Sequence, residues 1–99
     1  MENIEKLLNA IVEDYARFCN DPERTKMFSK NIQVRMGRKY YRIILENGST
    51  WGFVQRYNDV KLRAGDILKA ASATKPARNF ARGNVILEQF DNVRWTSPL

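Results

Sequence analysis

Lys69, Lys75, Arg78 and Arg82 stand in one stretch, Gly65–Asn84, with no acid after Asp66. Between them lie small residues, Ala70-Ala71-Ser72-Ala73-Thr74 and Pro76-Ala77, which predict a loop packed close to the body with its cations facing outward. Cations on such a loop do little for the backbone and suit phosphate or carboxylate groups, the forked guanidinium best of all. A plain solvated loop is the alternative. A second group gathers on one expected hairpin: Lys39, Tyr40, Arg42, Trp51, Phe53, Arg56 and Tyr57. Small sheets hold single-stranded nucleic acid this way, with bases stacked on rings for roughly 1–3 kcal/mol each and Lys or Arg along the phosphates. A short chain also needs aromatics for its core, so Trp51 and Phe53 are read as core before platform. Tyr40 and Tyr57 stay open between the two roles, and Trp95 reads as a pin for the tail. The nucleic-acid-binding set expected here is Lys39, Tyr40, Arg42, Arg56, Tyr57, Lys69, Lys75, Arg78 and Arg82.

Covalent and metal chemistry have little to work with. The chain has no histidine, which removes the commonest general base, metal ligand and nucleophile activator. Cys19 is alone, so it can form no disulfide within the chain, and its place in a helical pattern reads as a small buried hydrophobe. The glycines fit neither nucleotide-cradling motif. Glu46, Asp59, Asp66, Glu88 and Asp91 fall mostly at expected turns, where Asp commonly caps the backbone. Asp66 is the first candidate if any of them is catalytic. The expectation is a protein that is not an enzyme and uses no cofactor or metal. A recognition helix after a helix-turn-helix pattern is missing too, which argues against reading of the major groove.

Charge points the same way as the cations do. Residues 1–21 hold two cations and five acids, a net −3, whereas the rest hold fifteen cations and six acids, a net +9. From Arg24 to Arg42 there are seven cations and no acid, and nine of the fifteen cations after residue 21 are Arg. Such a field draws in polyanions over long range.

The elements that must carry these residues are legible from periodicity. At 99 residues and 43 % hydrophobic, the chain predicts one globular domain over 1–99, helical through residue 30 and sheet-forming over 32–96. Residues 3–19 predict an amphipathic helix on the three- and four-residue spacing of Ile4, Leu7, Leu8, Ile11, Val12, Tyr15, Phe18 and Cys19. Asn3 would cap it, and Glu2–Lys6 and Glu13–Arg17 would pair along it. Its stripe is wide for so small a body, so it either covers the core or joins two copies into a homodimer. Asp21-Pro22 suits the cap and first turn of a short second helix to about Ser29, anchored by Met27 and Phe28. Strands follow at 32–36, 39–46 and 50–57, the last two joined by an Asn47-Gly48 turn with both residues at positive φ. Trp51, Phe53, Gln55 and Tyr57 would share one face. Further strands are expected at 67–70, 85–90 and 93–96, the last pairing with 85–90 until Pro98 stops it. The fold class is α+β, with both helices packed on a small, strongly curved antiparallel sheet, and closure into a partial barrel left open. No apolar run reaches the ~20 residues of a membrane span, and no signal peptide opens the chain, so a cytoplasmic location without membrane partners is expected.

Residues 39–99 resemble a family of small uncharacterised proteins of tailed bacteriophages. The resemblance rests on Lys39-Tyr40 leading into Arg42-Ile43-Ile44, Gly52-Phe53-Val54, Gly65-Asp66-Ile67 and Lys69-Ala70-Ala71-Ser72. It continues through Pro76-Ala77, Arg82-Gly83-Asn84-Val85 and the closing Trp95-Thr96 with Pro98-Leu99. Ala73-Thr74 stands where an aromatic is expected after the serine, so no stacking role carries over there. The resemblance implies a phage origin and transfers no catalytic residue. The expected function is nucleic-acid binding, single-stranded or RNA, through the hairpin and the 69–82 loop. The alternative is a module that docks its basic face on an acidic host protein to inhibit or redirect it.

Overall fold

Ile4, Leu7, Ile11 and Tyr15 recur on one side of α1, Glu2–Cys19, and are all buried. The computed structural model describes residues 2–99. Asn3 lies inside α1 instead of capping it, and the side chain of Glu2, with its expected pairing to Lys6, lies outside the described residues. Lys6 reaches Glu88 at 3.4 Å, a tertiary contact, and Arg17 pairs with Asp14 at 3.2 Å, one turn back on α1, in place of Glu13. Asp21 caps α2, Pro22–Lys30, by accepting from the N–H groups of Glu23 and Arg24. Phe28 alone anchors that helix, stacking on Tyr15 at 4.0 Å between ring centres, while Met27 is exposed. Cys19 is half-buried.

Four antiparallel strands follow in the order β1-β2-β3-β4: Gln33–Met36, Tyr40–Ile44, Thr50–Gln55 and Ile67–Leu68. The fold is α+β, and the sheet is open, not closed into a barrel. The β2–β3 turn takes positive φ at Gly48 (85°) but not at Asn47. Gly48 N–H donates to Leu45, Leu45 N–H donates to Ser49, and the Asn47 carboxamide accepts from Ser49. This longer loop brings an irregularity with it. Ile43 opposes Gly52 and Ile44 opposes Thr50, so Trp51 is an extra residue on β3. A bulge of this kind re-aims a side chain. Trp51 therefore joins the helix-side core with Ile43, Val54 and Ile67, while Phe53 belongs to a second cluster with Leu62 and Leu68. The shared face expected for Trp51 and Phe53 is broken at that one residue.

The expected strands 85–90 and 93–96 do not form. Asn84 is the cause of the first failure. Its buried side-chain oxygen accepts from the N–H groups of Ile86 and Leu87 at 2.8 and 3.0 Å, turning the chain at once, and Glu88 follows at φ 54°. Only an isolated bridge, Asn84 to Gln89, remains, and Val93 bridges Pro98 instead of the 85–90 segment. The tail is held by side chains. Trp51 donates its indole N–H to the Arg94 carbonyl at 2.7 Å, and Trp95 N–H donates to Asp14 at 2.9 Å while its ring packs on Tyr15, Phe18 and Phe28. No described helix is long and apolar enough to cross a membrane.

Candidate functional site on the basic sheet face

Strand alternation puts Tyr41, Ile43, Val54 and Ile67 against α1, and everything between them on the other face. There, one cross-strand row runs Arg35, Arg42, Phe53, Leu68. The 69–82 loop folds back over the Phe53–Leu68 end of that row, with Ala70 and Ala81 packed on it and Thr50 Oγ1 donating to the Ala73 carbonyl at 2.7 Å. The Arg35–Arg42 end is left open. Its two guanidinium-bearing residues face each other directly across β1 and β2.

Two hollows of 270 and 230 Å³ flank that pair, and Arg35 and Arg42 line both. Arg38, Lys39 and Tyr40 line the second hollow, along with Thr74 at the loop tip. Glu46 lines the first. Among the described residues the ion pairs are Lys6–Glu88, Arg17–Asp14 and Arg78–Asp59, so Arg35, Arg38, Lys39 and Arg42 have no carboxylate within 4.0 Å. Like charges directly opposite in a sheet destabilise it. The Arg42 Nε, moreover, is buried and has no hydrogen-bond partner among the described residues, an arrangement that costs about 1–3 kcal/mol for a stranded donor.

The other sequence-predicted cations part company here. Arg78 turns inward: it donates to the Tyr40 hydroxyl at 2.6 Å, to Gln55 at 3.3 Å and to Asp59 at 2.5 Å. The Asp59 hydrogen bond, then the Tyr40 one, hold its pKa above the ordinary guanidinium value. Asp59 in turn sits well below the carboxylate range, chiefly through the Leu62 N–H, then Arg78, then the Lys61 N–H. Arg82 also turns inward, donating to the Leu99 main-chain oxygen at 2.7 Å with its guanidinium 4.0 Å over the Phe80 ring. The outward orientation expected of all four loop cations thus holds for Lys69 and Lys75 and fails for Arg78 and Arg82, because each arginine finds acceptors within reach.

Arg56 lies on the helix side of the sheet. It ties the β1–β2 turn by donating to the Gly37 carbonyl at 2.6 Å and stacks over Tyr57, itself exposed, at 4.9 Å. Arg56 N–H also donates to the Lys39 carbonyl at 2.9 Å, so Arg56 adjoins Lys39 along the main chain while its side chain leaves on the face opposite Arg42. Asp66 does not line either of the two hollows beside Arg35 and Arg42. Its carboxylate is buried and accepts from the Arg63 N–H and the Asn84 amide at 2.8 and 2.9 Å, a structural use of the group. Among the described residues no cluster of acids and thiols is placed to hold a metal ion.

Arg35 and Arg38 escaped the sequence-level selection, although the acid-free run Arg24–Arg42 was the signal for them. A model described as a family of unknown function (DUF7717) matches residues 1–96. The chain belongs to that family. No curated protein and no solved structure matches it. The match runs across both helices and the whole sheet.

Proposed function

We propose that this chain is a non-enzymatic nucleic-acid-binding protein that holds a single strand or RNA against the open end of its basic sheet face. The observation that carries the reading is the opposed pair Arg35 and Arg42, free of acid partners, between two hollows lined by both. A phosphate seated between the two guanidinium groups reverses their repulsion and accepts forked hydrogen bonds from each. Arg38 and Lys39 extend the cationic track, and Lys75, next to Thr74 on the loop tip, borders it. Phe53 is buried and Tyr40 is engaged by Arg78, so little ring surface is offered for stacking. Binding is thus led by the backbone phosphates and is weakly selective for sequence. The reading has the chain act in the cytoplasm of an infected host, in line with the resemblance of residues 39–99 to phage proteins.

The test is fluorescence anisotropy with a short labelled single strand between about 50 and 200 mM salt. Four phosphate contacts give a log–log salt slope of roughly −3 at about 0.7 per contact. No binding at the low-salt end refutes the proposal. Capture of a host protein that survives nuclease, with no oligonucleotide binding, would assign the face to an acidic protein surface instead.

A further inference from the structure

The apolar surface of α1 is wider than its sheet covers. Ile4, Leu7 and Ile11 are buried in the core shared with the sheet and Tyr15 is buried against Phe28 and Trp95, but Leu8, Val12 and Ala16 lie a quarter-turn round the helix and stay half-exposed. Val12 and Ala16 floor a 710 Å³ groove between α1 and α2, which also takes in Asp21, Thr25, Lys26, Ser29 and Lys30. A 240 Å³ hollow containing Glu5, Leu8 and Ile32 continues it, sharing Val12 and Ser29. One unpartnered channel therefore follows α1 from Glu5 to Asn20.

Its two rims carry opposite charge. Glu5 lines the channel from α1, with Glu13 exposed two turns on along the helix. Lys26 and Lys30 line it from α2, with Asp21 at that helix's cap. Among the described residues none of these has an ion-pair partner. Heights along the groove match as well. Ser29 and Ile32 line the hollow with Glu5 and Leu8, whereas Asp21 and Pro22 line the groove with Ala16 and Asn20, so α2 runs back along α1. A two-fold axis running along the groove preserves height while exchanging the rims. It sets Glu5 opposite the partner subunit's Lys30 and Glu13 opposite the partner subunit's Lys26, each twice by symmetry.

We infer that this groove is the interface of a homodimer, in which α1 of each copy packs on α2 of the other. The apolar floor supplies burial, and the small side chains of Ala16 and Ser29 allow the helices to approach closely. The crossed charges fix the register and reject the alternative in which like rims meet. Eighteen residues of α1 and nine of α2 span only about 27 and 14 Å, a footprint at the low end of specific interfaces, so the dimer is a reversible, micromolar one. The inference is independent of what the sheet face binds, because that face points away from α1.

Sedimentation equilibrium on the full chain tests it. Wild type is expected to dimerise with a micromolar constant that weakens with added salt. The double variants E5K/E13K and K26E/K30E should each weaken dimerisation by about tenfold or more, since each turns both seams into like-charge contacts. An equimolar mixture of the two variants restores complementarity in both seams and should form a heterodimer near wild-type affinity. That recovery also shows that both variants are folded. A wild-type chain still monomeric at about 1 mM overturns the inference. So does a mixture that associates no better than its components.

Discussion

Replacing Arg42 with methionine should make the free protein more stable and its complex weaker, and the two effects follow from the same geometry. Arg42 opposes Arg35 on β1, and its buried Nε has no acceptor among the described residues. Methionine keeps the apolar stem that packs beside Phe53, removes the charge facing Arg35 and removes the stranded donor. Relief of a directly opposed like-charge pair is about 0.2–1 kcal/mol, and relief of an unmade buried hydrogen bond is about 1–3 kcal/mol. The solvated end of the guanidinium and the lost stem hydration offset part of this, leaving a gain of about 1 kcal/mol. In a domain of this size that raises Tm by roughly 4–8 °C, readable by calorimetry. On an oligonucleotide the same variant should weaken the phosphate contact it shares with Arg35, flattening the log–log salt slope by up to about 0.7. A functional site that holds charge against stability gives this opposed pair of signs. If R42M melts lower than wild type and its salt slope is unchanged, the guanidinium is a structural strut and the reasoning fails.

Two further predictions concern what holds the face in place. Asp59 has a folded pKa depressed below its unfolded value of 3.8, so its contribution is fully present above that value and is lost as pH falls through the folded one. Asp59→Asn should therefore lower the urea midpoint near neutral pH and narrow its gap to wild type below about pH 4, because wild type alone has that contribution to lose. Gly83 sits at φ 146°, and a methyl group there would collide with the Gln89 carbonyl oxygen. Gly83→Ala is expected to lower stability by about 2 kcal/mol or more in thermal unfolding, with early loss of protection in hydrogen exchange around residues 84–89.

Much of the fold was legible because it rests on local rules. The stripe Ile4–Leu7–Ile11–Tyr15 dictates α1, and Asp21-Pro22 starts α2 through a cap and a preset φ. Alternation at 33–36 and the β-branched run at 40–44 dictate a hairpin sheet. The failures come from a side chain claiming nearby main-chain N–H groups and from ladder register, neither of which hydrophobic periodicity reports. Ile86 and Leu87 have strand-like side chains, yet the Asn84 carboxamide claims their N–H groups, and no propensity scale registers that competition. Trp51 left its expected face because one extra residue in the β3 ladder resets the alternation.

The candidate site divides along the same line. Composition and charge order alone determined that this chain is cationic after residue 21 and has no histidine. Charge type is a property of each side chain and survives any arrangement of the backbone. Which cations stay available is a matter of acceptors within a few ångströms, and those acceptors lie up to 38 residues away, as with Arg78 and Tyr40. Only the folded chain decided that Asp59 would take Arg78, that Leu99 would take Arg82, and that strand register would leave Arg35 and Arg42 facing each other.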